Sequence, residues 1–193
     1  MGNHWLHIAF LYKTAKIVRK RWTFISFSGH YSDNPKYLSK KLHDLDPSIE
    51  IVWCVNAPLL DQLPRYVIGV EYGTMEAHKY IASAAVIIDN VYGGCAFNIF
   101  GYGLKNKLKS KLLKYIFCKN GQRIYTTWHG TPLKKMGRDQ IGNNVTGFVC
   151  GNIKMVLGNQ YTLNIMKHLT FGKIPMKLLG TPRNDILFDR NVN

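Results

Sequence analysis

Short apolar runs, rich in β-branched and aromatic residues, alternate along this chain with segments whose apolar positions recur at helical spacing. Residues 22–27 form the first such run and predict a strand. The turn-rich stretch Ser28-Gly29-His30-Tyr31-Ser32-Asp33-Asn34-Pro35 follows. A helix of about ten residues is expected next, with Asn34 as its cap and Pro35 in its first turn. Residues 49–55 are nearly all apolar, the pattern of a strand covered on both faces. A shorter strand is predicted at 66–70, a helix opening at Thr74, and a buried-type strand at 84–88 that ends in Asp89-Asn90. A strand at 123–128 runs into His129-Gly130-Thr131-Pro132. After it come a short apolar run at 155–157, a helix at 159–169 and a last run at 176–179, before Gly180-Thr181-Pro182-Arg183-Asn184-Asp185.

Strands alternating with helices predict parallel βαβ units in an open sheet with helices on both faces. Ligands of such sheets bind beyond the carboxyl ends of the strands, so residues 29–34, 89–90 and 129–132 are candidate site loops by position. The composition turns loop-like around Gly142-Asn143-Asn144, where a domain boundary is expected. The reading is a basic amphipathic N-terminal segment at 1–21, a Rossmann-like domain at 22–143 and the start of a second, incomplete domain at 144–193. The last part holds too few βα units for a core of its own, so the chain reads as stopping early.

Composition narrows the classes. With 46% hydrophobic and 19% charged residues over 193 positions, the chain buries a core and is not a disordered tail. A formal charge of +15 points to a polyanionic partner: nucleic acid, an acidic membrane surface or a phosphate-rich substrate. Against a nucleic-acid module stand the absence of an RNP-type run, of zinc fingers and of a recognisable helix-turn-helix. No Walker A or complete G-x-G-x-x-G supports a P-loop or dinucleotide enzyme. Cys54, Cys95, Cys118 and Cys150 lie far apart without zinc spacing, which fits a reducing compartment and no structural metal. No apolar stretch approaches the ~20 residues that span a bilayer. The apolar run at 5–12 precedes its positive charges, unlike a secretory signal, so a cytoplasmic protein is expected.

His129 sits where a strand ends, and Thr131-Pro132 are suited to open a helix. Free N–H groups at a helix start attract anions, and Lys134, Lys135 and Arg138 would crowd that start with cations a phosphate could neutralise. From spacing alone the ordinary reading is a capped helix with solvated lysines and a histidine that packs. Asp33 and Asn34 read either as helix capping or as substrate contacts. For Arg183, Asn184 and Asp185 the favoured reading is local: Pro182 starts a helix, Asp185 sits on its dipole and Arg183 pairs nearby.

Thr127-Trp128-His129-Gly130-Thr131-Pro132-Leu133-Lys134 resembles the T-W-H-G-T-P-x-K motif of the CDP-glycerol glycerophosphotransferases. Those enzymes prime or polymerise teichoic acids in Gram-positive bacteria. Residues 28–37 resemble that family's first-strand loop, Tyr80-Ile81-Ala82-Ser83-Ala84 through Asp89-Asn90 its A-K-Y-x-I-x-N element, and residues 180–187 its G-x-P-R-N-D-x-L. The resemblance implies an α/β, glycosyltransferase-B-like fold, here one Rossmann-like parallel-sheet domain plus the truncated start of a second. It implies transfer of glycerol phosphate from CDP-glycerol to a lipid-linked acceptor with release of CMP. His129 would be the catalytic base, with Gly130, Thr131, Lys134, Lys135, Arg138, Asp33, Asn34, Arg183, Asn184 and Asp185 as substrate contacts. It implies no cofactor beyond the donor, and leaves metal assistance and the choice between primase and polymerase open. The family's second domain, with another catalytic histidine, lies downstream of the P-R-N-D element, so this chain alone is expected to be a poor transferase.

From Asn90 to Arg138 there is no acidic residue against ten Lys and Arg. A helical reading of this insert, about 91–120, groups Leu108, Leu112 and Tyr115 on an apolar face, with Lys105, Lys107, Lys111 and Lys114 around it. Such a helix suits an anionic leaflet as well as a core-packed helix with a solvated face. With the resemblance, a peripheral protein on the cytoplasmic face of a bacterial plasma membrane is expected, without a nucleic-acid partner. A nucleic-acid-binding basic module and a nucleotide-sugar glycosyltransferase of the same fold are the competing readings.

Overall fold

In the computed structural model, residues 4–91, 121–136, 153–170 and 174–188 are described. The elements run α1 (His4–Thr14), β1 (Val18–Ile25), α2 (Asp33–Leu45), β2 (Glu50–Val55), β3 (Val67–Glu71), α3 (Met75–Ser83), β4 (Ala84–Asp89), β5 (Arg123–Thr126), β6 (Ile153–Leu157), α4 (Gln160–Thr170) and β7 (Met176–Leu178). Single 3₁₀ segments at Ala57–Gln62 and Pro182–Phe188 complete the described part. All seven strands form one parallel sheet in the order β3-β2-β1-β4-β5-β6-β7. The order reverses direction between β1 and β4, and the α/β class expected from the alternating pattern is the one observed.

Strands β2 and β4, and the second half of β1, are largely apolar because alternate side chains meet different helical layers. Ile25, Val52, Cys54, Ile87 and Ile124 point to the face covered by Ile8 and Tyr12 of α1, Ala77 and Ile81 of α3, and Leu163 and Met166 of α4. Phe24, Ile51, Trp53, Val55, Val86 and Ile88 point to the other face, against Leu38 and Leu42 of α2 and Leu59, Leu60 and Leu63. Trp53 stacks on Phe24, meets the edge of Tyr31, and its indole N–H donates to Ser39 Oγ at 3.1 Å, so α2 is held both by packing and by a polar pin. Thr74 caps α3 as its sequence predicts, its hydroxyl accepting from the Ala77 N–H at 3.2 Å. Asn159 does the same for α4, accepting from the Thr162 N–H at 2.8 Å.

Two boundaries differ from expectation. The N-terminal segment at 1–21 is not a free amphipathic arm: Ile8 and Tyr12 are buried in the core, and β1 already begins at Val18. Two of its basic residues have structural partners, Arg21 donating to Glu50 at 2.5 Å and to Ser83 Oγ at 2.6 Å with its guanidinium over the Tyr80 ring, and Lys20 donating to Ser48 Oγ. The break expected at 143/144 falls inside the sheet. Strands β6 and β7 pair onto β5, so residues 153–178 extend the first sheet instead of opening a second domain. Turn-like composition marks a connection, and only strand pairing decides which sheet the next strand joins.

The insert at 92–120, with Lys105, Lys107, Leu108, Lys111, Leu112, Lys114 and Tyr115, lies outside the described residues, as does Arg138. No helix among the described residues is long and apolar enough to cross a membrane.

Candidate active site

The loops after β1, β4 and β5 converge at the carboxyl end of the sheet, at the switch point between β1 and β4 where open α/β sheets bind ligands. Backbone strain collects there too. Among the described residues, the non-glycine positions with left-handed backbone are Phe27 (φ 42°), Ser28 (57°), Asp33 (59°) and Trp128 (50°), all in the β1 and β5 loops. Such conformations persist only where the surroundings hold them, and they concentrate at functional sites. Gly29 between them, at φ 113°, has no alternative, because a Cβ there would come within 2.5 Å of Asn56 Oδ1 and 3.1 Å of its backbone nitrogen.

Three loops are tied together by side chains distant in sequence. Asn90 donates from Nδ2 to Ser26 Oγ (3.0 Å) and Asp33 Oδ2 (2.7 Å), and its Oδ1 accepts the Phe27 N–H (3.1 Å). Asp33, its side chain only 3% exposed, also receives Arg183 Nη1 at 2.7 Å. Asn34 is buried and donates to the carbonyls of Trp128 (2.9 Å) and Thr127 (3.4 Å), while accepting from the Arg183 backbone N–H (3.1 Å). The Arg183 guanidinium passes so close to Gly130 that a Cβ at that position would lie 3.3 Å from Nη2.

His129 is half-buried, stacked on Trp128 with ring centroids 4.1 Å apart and tilted against Phe27 at 5.4 Å. Burial between those rings pushes its pKa below the ordinary 6.5; the Asp33 carboxylate opposes the shift and Arg183 adds to it. The imidazole is therefore neutral at pH 7, the form that accepts a proton. Phe27 also lines an open cleft of about 400 Å³, whose other walls are Ser32, Asp33 and Tyr37 on one side and Arg183, Asn184, Ile186 and Leu187 on the other. His129 is not itself among the residues lining that cleft; it is half-buried and packs against Phe27, whose ring forms part of the cleft wall.

Several expectations change. Residues 131–136 are not helical, so no helix start cradles an anion beside His129 there. Pro132 is buried, Lys134 and Lys135 are exposed, and Thr131 Oγ1 instead accepts from Asn159 Nδ2 at 3.0 Å. Asn34 is no cap either: α2 starts behind Ser32, and the Asn34 amide is spent on the β5 loop and Arg183. Arg183 pairs with Asp33, 150 positions away in the chain, not locally. Asn184 lines the cleft, whereas Asp185 is exposed in the first turn of the 3₁₀ segment. Asn90, in a candidate site loop by position, does reach the site, whereas Ser26, Phe27 and Tyr37 are site neighbours not named individually from the sequence. The motif at 28–37 contained Tyr37, but nothing in the sequence marks Phe27 as the ring under His129. No cluster of three or more metal-ligating side chains occurs among the described residues.

A seven-stranded all-parallel sheet in this order with helices on both faces is a Rossmann-type α/β fold of glycosyltransferase-B-like architecture. The chain belongs to the CDP-Glycerol:Poly(glycerophosphate) glycerophosphotransferase family, whose model matches residues 8–193. It is 24% identical to the teichoic acid poly(glycerol phosphate) polymerase of Staphylococcus epidermidis, over 92% of this chain and 24% of that protein. Among solved structures it resembles the wall teichoic acid polymerase TagF, with TM-score 0.71 and 24% identity over 97% of this chain and 46% of that one. A TagF variant soaked with CDPG gives TM-score 0.72 and 23% identity, over 97% and 47%. This chain thus spans about a quarter of the curated relative and just under half of the solved chains.

Proposed function

We propose that this chain takes part in teichoic acid synthesis as the acceptor-side portion of a glycerophosphotransferase, with His129 as its general base. The observation that carries the reading is the imidazole itself. It is half-buried between Trp128 and Phe27, burial that lowers its pKa and favours the proton-accepting form, and Phe27 lines the open cleft. In this reading an acceptor hydroxyl enters the cleft and His129 takes its proton as the oxygen attacks the donor's β-phosphorus. The new O–P bond forms as the bond from that phosphorus to the bridging oxygen breaks, and CMP leaves. Catalysis of such a step is mostly positioning and charge stabilisation. The Asp33–Arg183 pair and the Asn184 amide supply polar wall on the acceptor side. A second Rossmann-like lobe, implied by the family resemblance, completes the donor pocket.

Membrane docking belongs to the same proposal. Its support is the distribution of charge, ten Lys and Arg without one acid from Asn90 to Arg138, and the expectation that a lipid-linked acceptor keeps its tail in the bilayer. The test of the chemistry is CMP release from CDP-glycerol by the protein expressed from its complete reading frame. His129→Ala is expected to lose about 10²-fold or more, and wild-type turnover in that variant rejects the assignment. Co-sedimentation with anionic vesicles is expected, whereas salt-sensitive binding to random DNA without vesicle binding would favour a nucleic-acid module.

A further inference from the structure

Two buried asparagines hold the strained residues of the site. Asn90 bonds the Phe27 N–H and the Asp33 carboxylate. Asn34, 1% exposed, bonds the Trp128 carbonyl. Its three partners lie in the β5 loop and at Arg183, and none belongs to α2, the helix it sits in. A side chain present only to start that helix has no need of such reach.

Trp128 needs an anchor, because a bulky residue at φ 50° is left-handed only where its neighbours fix it. The carbonyl that Asn34 holds belongs to the Trp128–His129 peptide. Fixing that oxygen fixes the plane from which the His129 side chain leaves the backbone. The Trp128 indole, set by the same backbone, then stacks on the imidazole at 4.1 Å. On its other side, Asn34 Oδ1 holds the Arg183 N–H at the start of the segment that forms the far wall of the cleft.

We propose that Asn34 is a positioning residue for His129: its amide sets the imidazole through the Trp128 carbonyl and ties that setting to the Arg183 wall of the cleft. The proposal rests on the reading of His129 as the base. Substrate bound against Arg183 then presses on the same amide that aims the histidine, so binding and base orientation are mechanically linked.

The test compares Asn34→Asp and Asn34→Ala in the protein from its complete reading frame. Asn34→Asp keeps the size and the acceptor for Arg183 but turns an acceptor towards two carbonyl oxygens. Steady-state CMP release, thermal melts and the ring resonances of labelled histidines are read together. Expected is a fall in kcat of about 10²-fold, the scale of a misplaced catalytic group. KM for CDP-glycerol stays within about threefold, since ground-state binding is not what was removed. The His129 ring resonances move, while those of His43, at the other end of α2, stay in place. Asn34→Asp combined with His129→Ala is no slower than His129→Ala alone, because both remove one function. Should Asn34→Ala not fold, Asn34→Asp decides. A folded Asn34→Asp protein with wild-type kcat, or one whose loss comes with unmoved His129 resonances, overturns the proposal. If His129→Ala itself stays active, the base reading falls, and the ring resonances still decide whether Asn34 sets the imidazole.

Discussion

Replacing Arg183 with Met removes the guanidinium while keeping most of the apolar stem and the backbone N–H that Asn34 accepts. Asp33, 3% exposed, is then left with the Asn90 amide as its hydrogen-bond partner among the described residues. Breaking a fully buried ion pair costs about 3–5 kcal/mol, and an exposed pair is worth about 0–1 kcal/mol. Here the acid is buried but Arg183 is 39% exposed, with one charge-assisted bond at 2.7 Å, so the loss belongs between those limits. About 2 kcal/mol is expected, which for a chain of this size lowers Tm by about 4–8 °C. Asp33→Asn tests the other half. The amide tolerates the left-handed backbone at 33 as well as the acid does, so charge is what changes. Urea unfolding of the two single variants and the double variant gives the coupling, expected at about 1–2 kcal/mol. A coupling below about 0.3 kcal/mol, the scale of additivity between independent sites, would refute the argument that this pair clamps the α2 start to the 3₁₀ segment.

The His129 ring is expected to titrate below 6.5 by NMR, to move lower in Asp33→Asn and to move back up in Arg183→Met, following the signs of the two neighbouring charges. Because the folded protein binds this proton less readily than the unfolded chain, the His129 contribution to stability is intact above about pH 6.5 and declines as pH falls through the folded midpoint; a midpoint above 6.5 contradicts both statements. Gly29→Ala is expected to destabilise by more than about 1 kcal/mol, since its Cβ meets the Asn56 backbone and side chain at a strained φ. Chemical denaturation reads that loss, and an unchanged midpoint would mean the β1 loop relaxes freely.

The sheet was legible because a strand buried on both faces must be apolar at every position, and residues 49–55 and 84–88 can satisfy that in few other ways. The start of α3 was legible because the Thr74 cap bonds its own first turn and needs nothing beyond three neighbouring residues, while Asn159, read as the first helical residue, is instead the cap. The same local logic failed at Asn34 and Thr131, whose side chains found partners across the fold. It failed again at 131–136, which is not helical. Motif resemblance brought His129, Asp33, Asn34 and Arg183 into one family site without saying which touch. The amino-acid order alone thus settled the α/β class, the place of most strands, the helix opening at Thr74 and the family. Only folding in three dimensions decided that β6 and β7 extend the first sheet, that Arg183 answers Asp33, and that Phe27 lies against the His129 ring. Those outcomes depend on strand pairing and on contacts between residues far apart in the chain, and neither leaves a periodic trace in the sequence.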